Sequence, residues 1–465
     1  MSEKVTVSKI ENTSRVHASY AIGSFFDDFI ITCLGIMVFK FYETEVFLPI
    51  IFITIAITIY GLWNMINDPI AGHISDKSIE FMRKRGKRFT WFLIASIPCS
   101  LMFMLIFLPP MTSEISLFFW LIVSLCIFDT LFSFMMINWQ KIFPDKFRSQ
   151  KERTKVGGIQ IFFSLIGLLL GMVLPILFIT SGDPGTNIDS YFFIGALISV
   201  ICLISIIFMI FGMREDKDMI ARTFRISENQ EEKESFIPKL KFALKQKNFV
   251  AYLMAYLAQT TVMVLMLASV PYWSQYVVKV DEFDILIALF AFLLSSVCSA
   301  PFWIKIARKY GNRIGYMCGT GGTAIFLVIT MFIWSFPLVI IGFILIGISM
   351  GATWSLIYVM FSDVIDEIVL KTGKREEGVY YGFRTFFGRL SIVIQALTFG
   401  IIHPLTNFNP RVSQQPIQAQ WGIIFGMFAI PALLYFIGFV FMWKVCDLKP
   451  EKVQDIKNKL KELNL

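Results

Sequence analysis

The chain has 465 residues, 56% of them hydrophobic and 16% charged, with a mean hydropathy of +0.67 and a formal net charge of +8. Soluble domains run near half apolar and a quarter charged, so an excess of this size excludes a water-facing globule and places the chain against lipid. Nucleic acid is excluded as a partner by distribution: Lys and Arg fall in short clusters between apolar runs, with no basic stripe and no interleaved stacking aromatics.

A membrane-spanning helix needs about 20 largely apolar residues. Met1 to Ser19 is polar and lacks the apolar stretch of a cleaved leader, so insertion is expected to rely on the first spanning helix. Spanning helices are predicted near 18–41, 47–69, 89–109, 116–139, 157–180 and 190–213. After a polar stretch a second set follows near 248–275, 284–305, 313–334, 337–362, 378–402 and 421–445. An outer-membrane barrel is excluded, because its strands are short and alternate apolar with polar. The fold class is therefore an all-α membrane protein with twelve transmembrane helices.

Basic residues set the orientation. Lys77, Arg83, Lys84, Arg85, Lys87 and Arg88 lie between the second and third helices, and Lys141, Lys146, Arg148, Lys151, Arg153 and Lys155 between the fourth and fifth. Lys305, Arg308, Lys309 and Arg313 follow the eighth, whereas the alternate loops hold only Lys40, Lys279 and Arg411. Because positive charge stays on the cytoplasmic side during insertion, both termini are expected in the cytoplasm of a multi-pass cell-membrane protein.

The chain also repeats itself. Gly72-His73-Ile74-Ser75-Asp76-Lys77 follows the second helix as Ile306-Ala307-Arg308-Lys309-Tyr310-Gly311 follows the eighth, and Phe143-Pro144-Asp145 closes the fourth as Phe361-Ser362-Asp363 closes the tenth. Two six-helix halves with matching loops are the pattern of the major facilitator architecture. The expected organisation is a bundle over 1–213, a cytoplasmic linker over 214–247, and a bundle with a cytoplasmic tail over 248–465.

Ionisable residues at membrane depth are costly and tend to face a cavity or a partner. Here they are Asp27 and Asp28 in the first helix, Asp68 in the second, Asp129 in the fourth, and Arg384 and Arg389 in the eleventh. Acids come from the first half and bases from the second, so the charges can meet across a central cavity. The plain alternative is a set of structural ion pairs. Asn64 and Asp68 are four apart and share a helix face. Their oxygens suit a hard monovalent cation, or a proton on the acid, and Pro69 is expected to end the helix nearby.

The stretch Gly61-Leu62-Trp63-Asn64-Met65-Ile66-Asn67-Asp68-Pro69, continued by Ile70-Ala71-Gly72-His73-Ile74-Ser75-Asp76, resembles the signature of the glycoside–pentoside–hexuronide:cation symporters, the melibiose permease-like family of the major facilitator superfamily. Trp354, Phe361-Ser362-Asp363-Val364-Ile365-Asp366-Glu367 and Thr372-Gly373-Lys374-Arg375-Glu376-Glu377-Gly378 resemble its second motif, so the likeness runs from about Tyr20 to Val445. The resemblance implies a sugar-binding acid at Asp28, a cation-site acid at Asp68, the basic partner of that site at Arg389, and a sugar-site aromatic at Trp354. It implies gating roles for Asp363, Asp366 and Arg375, and these are expected to pair with Arg148 or Arg153 of the other half when the protein faces outward. The chain departs from the family at Asn64, where a carboxylate is usual, at Gly61, at Met136, and at Gln160, which takes the place of an arginine. Asp129 stands two turns before Met136 as a candidate replacement. These departures favour a proton, or weak coupling, over tight sodium coupling.

The expected function is secondary active transport by alternating access: symport of a small solute, a sugar or glycoside, with a sodium ion or proton. The alternatives are a lysolipid or other amphiphile carrier, an uncoupled facilitator, and a membrane sensor that has lost transport. No catalytic or metal constellation is present in the sequence, no other cofactor is expected, and a monomer in the bilayer is the expected assembly. Gly347-Ile348-Ser349-Met350-Gly351 matches a hydrolase pattern, but inside a helix it reads as a small-residue contact. Seven Cys lack disulfide or metal spacing and read as core hydrophobes; His17, His73 and His403, like Tyr272, Trp273 and Trp421, read as interfacial.

Overall fold

The computed structural model describes residues 12–76, 82, 85–110, 112–179, 183–217, 219–220, 236–374 and 376–463. Among these residues, twelve helices are long and apolar enough to cross a bilayer: α1 (Ser14–Glu45), α2 (Ile50–Ser75), α3 (Lys87–Ile106), α4 (Glu114–Lys146), α5 (Gln150–Ile179), α6 (Ile188–Met213), α7 (Lys247–Val278), α8 (Glu282–Tyr310), α9 (Asn312–Met331), α10 (Leu338–Thr372), α11 (Glu377–Leu405) and α12 (Ile417–Lys444). A helix satisfies its own backbone polar groups, which lipid cannot do, and this is why each apolar run takes that form. Outward faces carry large apolar side chains such as Ile51, Phe119, Phe208 and Phe436, more than half exposed, as a lipid-facing surface requires.

The helices pack by one scheme used twice. In the first half α1 lies along α5 and α6, α4 along α2 and α3, and α3 along α6. Six helices later, α7 lies along α11 and α12, α10 along α8 and α9, and α9 along α12. The halves meet through α2 against α11, α1 against α7, and α5 against α8. Close packing explains the glycine pattern in α10, where a Cβ at Gly351 would fall 2.5 Å from the Ser296 carbonyl oxygen of α8. The Gly347–Gly351 stretch is thus a helix contact.

Several helices outrun their apolar windows. α1 ends in a π-helical turn, Phe41–Glu45, which takes Glu43 into the protein. α2 continues past Pro69 to the neighbourhood of Asp76, so the proline does not end it. A missing N–H inside a spanning helix is tolerated where neighbours surround the freed carbonyl. α11 is interrupted at Arg389, between Glu377–Gly388 and Leu390–Leu405.

A short helix, Phe236–Leu244, precedes α7, and a tail helix, Pro450–Glu462, docks on α10. Lys457 reaches Asp363 at 3.0 Å and Lys452 reaches Glu367 at 2.8 Å. Asp447, at the start of the tail, accepts from Lys247, Lys452 and Asn248. Burial pushes its carboxyl up, but these three donors more than offset that and hold it well below the usual carboxylate range.

Two sequence-level expectations are corrected here. All seven cysteines are free thiols, yet Cys298 and Cys318 sit on outward faces instead of in the core. Tyr272, Trp273, His17 and His403 are buried, not interfacial, because each finds partners inside the bundle. His17 bonds Glu152 at 2.9 Å; His403 and Tyr272 belong to a cluster described below.

Candidate functional site

A cavity of about 500 Å³ lies between the halves, lined by α1, α2 and α4 from one and by α7, α10 and α11 from the other. Its mouth is at the end carrying the chain termini, where Gln140, Tyr358 and Tyr381 are exposed. Its lining furthest from that end is Val38, Phe39, Leu125 and Leu267, of which the first three are buried.

The blind end is closed by a polar cluster that joins the halves. Glu43 of α1, 2% exposed, accepts from the Tyr272 hydroxyl of α7 at 2.6 Å. It also accepts from His403 Nδ1 of α11 at 2.8 Å. Phe39 packs on Phe399 with ring centroids 4.4 Å apart, and Phe408 covers the His403 ring at 4.5 Å. Glu43 was not identified from the sequence, because it lies beyond the apolar run of the first helix. The run's length alone could not have revealed the extra π turn.

The wall from the first half holds most of the acids. Asp68 accepts from the Ser133 hydroxyl of α4 at 2.6 Å. From the other half, Arg389 Nη2 donates to Asp68 at 3.3 Å. Behind this pair, Asp129 is buried and accepts from the side-chain amides of Asn64 and Asn67, the latter at 2.9 Å. Asn67 also donates to Ser133 at 2.9 Å. Residues 64, 67 and 68 share the α2 face turned to α4, since helical positions three and four apart align. Asn64 Oδ1 is buried without a partner among the described residues. Asn67 and Ser133 were missed in the sequence, although the i, i+3, i+4 spacing from Asn64 gives Asn67 away.

The remaining candidates are dispersed. Asp28 does not line the cavity; it turns to α5 and accepts from the Ser164 hydroxyl. Its neighbour Asp27 does line it, with no hydrogen-bond partner among the described residues. Gln160 Nε2 donates to Ser24 at 3.3 Å, away from the cavity lining. Trp354 also lies outside the lining, with its ring edge-on to Phe292 of α8 at 5.9 Å. Met136 lines the cavity as an apolar group.

Of the gating candidates, Asp363 bonds Lys457 of the tail helix and Asn312 of α9, the latter at 2.6 Å. Arg153 donates to the carbonyls of Phe147 at 2.7 Å and Pro144 at 3.0 Å, and Arg148 to that of Asp145 at 3.4 Å. These contacts stay within one half. Asp366 borders a recess beside Tyr358 and Tyr381, and Arg375 lies outside the described residues.

On the second-half wall, Arg384 is 3% exposed and lies among four aromatic rings. Its guanidinium carbon is 4.3 Å from the Tyr381 ring, 4.9 Å from Tyr256, 5.0 Å from Tyr358 and 5.1 Å from Phe361. Gly388, one turn on, lets α11 approach this wall: a Cβ there would fall 2.7 Å from Tyr256 Cε1.

Two repeated bundles around a cavity closed at one end define a carrier of the major facilitator fold. The solved structure of a D-xylose-proton symporter has the same fold, with a TM-score of 0.62, 14% sequence identity, and coverage of 93% of this chain and 97% of that one. The model of the MFS/sugar transport protein family matches residues 19–446, and the chain belongs to that family. It is a membrane transporter, not an enzyme. Similar curated proteins include a sodium-dependent lysophosphatidylcholine symporter 1 of Xenopus tropicalis, 20% identical over 81% of this chain and 76% of that protein. Another is a lactose permease of Lactobacillus delbrueckii subsp. bulgaricus, 23% identical over 95% of this chain and 72% of that one.

Proposed function

We propose that the chain is a symporter working by alternating access, which couples the movement of a sugar or glycoside to that of a proton or sodium ion. One observation carries the reading: the blind cavity between the halves is bridged at mid-depth by Asp68 and Arg389, and Asp68 is wired through Ser133 to the buried Asp129 cluster. A cation or proton that neutralises Asp68 releases Arg389, and so loosens α2 from α11 at the line where the halves meet. That is the linkage a symporter needs between ion binding and movement. With an amide at Asn64 and only one carboxylate facing the cavity on α2, a proton is the better fit than tightly held sodium.

In this reading 1–213 and 248–465 move as two bodies joined by 214–247. The basic loops support a cytoplasmic position for the termini side. The conformation described is then inward-open, with Glu43, Tyr272 and His403 as the outer seal. Closing the inner mouth would bring Asp363, Asp366 and Arg375 towards Arg148 and Arg153. Asp27 meets the solute directly, while Asp28 and Gln160 position α1 against α5. Asp129 belongs with Asn64 and Asp68 in the coupling region. Trp354 supports the wall from behind.

The decisive experiment is uptake by purified protein in liposomes, with radiolabelled lactose and with imposed proton and sodium gradients. Accumulation driven by one gradient is expected; indifference to both removes symport and leaves a facilitator. A second reading rests on the apolar depth of the cavity, where Ile31, Leu34, Val38, Ile57, Leu125 and Leu267 suit an acyl chain. The resemblance to a lysophosphatidylcholine symporter agrees with it. Labelled lysophosphatidylcholine in the same liposomes separates the two. Binding without flux of either probe would leave the sensor reading.

A further inference from the structure

Arg384 is a buried cation lining the cavity that has no carboxylate or carbonyl partner among the described residues. We propose that it is the docking group for an anion carried by the transported solute, a carboxylate or a phosphate. The proposal rests on the transporter reading and narrows its substrate class.

Ring contacts and hydrogen bonds engage a guanidinium in different ways. Aromatic rings are attracted to the cation through their π faces, and four of them surround Arg384 at 4.3 to 5.1 Å. A guanidinium has five N–H donors in its plane, and rings do not satisfy those. One of the five reaches the Tyr252 hydroxyl, at a long 3.4 Å, and Nε is buried with no acceptor. A purely structural arginine would be expected to spend its edge on a carboxylate or on helix-end carbonyls, as the less buried Arg153 and Arg313 do. Arg384 instead holds an unused donor edge in a wall of the cavity.

The other cavity charges are placed differently. Arg389 also has an Nε without an acceptor among the described residues, but its Nη2 is engaged by Asp68, and Asp68 by Ser133 as well. Asp27 stands on α1, on the opposite wall. Asp366 and Glu377 border the recess on the other side of Tyr358 and Tyr381. An oxyanion in the cavity would therefore meet Arg384 at one end, while hydroxyl donors on the same solute could reach Asp27 at the other. Bidentate pairing of guanidinium with carboxylate or phosphate is strong and directional, and the surrounding rings restrict the movement of the fork. Leaving a buried cation unpaired is costly, so the arriving anion recovers that cost and the site discriminates against neutral analogues.

The test uses full-length protein in nanodiscs and three matched probe pairs that differ in the anionic group: methyl glucuronide against methyl glucoside, glucose 6-phosphate against glucose, and lysophosphatidate against monoacylglycerol of the same chain. Dissociation constants are measured for wild type, Arg384→Gln and Arg384→Lys. In at least one pair the anionic member is expected to bind wild type at least about tenfold more tightly, as charge-assisted hydrogen bonds allow. Arg384→Gln should cut that ratio to about twofold or less with the neutral member little changed, and Arg384→Lys should keep part of it, since the charge remains and the fork is lost. The pair that responds identifies the source of the anion, soluble sugar derivative or lipid. Absence of an anionic preference in all three pairs overturns the proposal, and so does a preference that survives Arg384→Gln. Counterflow of the same probes in liposomes is scored separately. If it fails while the binding ratio behaves as described, the transport reading falls and the anion site stands.

Discussion

The two ends of the cavity use their polar side chains in opposite ways. At the blind end one carboxylate, Glu43, is completely buried and bonded to helices of the other half. At the mouth, Arg88 with Asp145 and Asp363 with Lys457 pair within a half, Lys239 of the linker pairs with Glu376 of the second half, and most of these side chains remain partly in contact with water. Buried cross-half bonds lock two bodies together; exposed pairs within a body leave the bodies free to part. The molecule is closed where desolvated charge crosses the divide and open where it does not.

The strongest way to break the contrast is to remove its centre. Glu43→Ala leaves Tyr272 and His403 without their acceptor, and losing one member of a buried hydrogen-bonded pair costs about 3 kcal/mol or more. Thermal stability should fall accordingly, and a cysteine placed at Thr44, which is fully buried, should become reactive to a polar thiol reagent in a background lacking native cysteines. Unchanged labelling would mean that the cluster is not the seal.

Asp68→Asn attacks the only ion pair described between the halves at mid-depth. Gradient-driven uptake should drop at least about tenfold, equivalent to about 1.4 kcal/mol, while exchange of solute across the liposome membrane continues. A parallel loss of both would assign Asp68 to solute binding instead of coupling.

Ser133→Ala sharpens the same point at smaller scale. It removes a neutral donor to Asp68 and an acceptor for Asn67, worth about 1 kcal/mol. The expected result is a shift in the pH dependence of uptake with little change in melting temperature.

The mouth should respond less than the blind end. Lys457→Ala removes one of two donors to the buried Asp363, which keeps Asn312, so the stability cost should be about 1–2 kcal/mol, less than for Glu43→Ala, and shrink in high salt. Asp447→Asn tests the neighbouring tail contact. Because the folded carboxyl titrates below the unfolded one, its contribution is fully present above the unfolded value near 4 and fades as pH falls towards the folded value. The stability difference between wild type and Asp447→Asn should therefore be constant at neutral pH and vanish on strong acidification. A difference that grows with acid would reverse the sign and exclude the network as drawn.

The cavity residues divide into those that chain order can reveal and those it cannot. Asn64, Asp68 and Arg389 were legible because charge or amide in an apolar run stands out, and helical spacing puts the first two on one face. Asp27 and Asp28 were equally visible, yet adjacent positions on a helix point about 100° apart, and which one faces the cavity depends on how α1 rolls against α5. Arg384 was visible as a charge, but its cage draws Tyr256, Tyr358, Phe361 and Tyr381 from three helices. Glu43 and His403, 360 positions apart, carried no signal linking them.

From the amino-acid order alone came the twelve spans, the repeat of six and the family, because hydrophobic length and motif spacing are local properties written along one chain. Only the tertiary structure decided which charges meet, which face lipid and which end of the cavity is shut. Those outcomes depend on helix rotation and on desolvation by distant segments, and neither is encoded in the spacing of any single stretch.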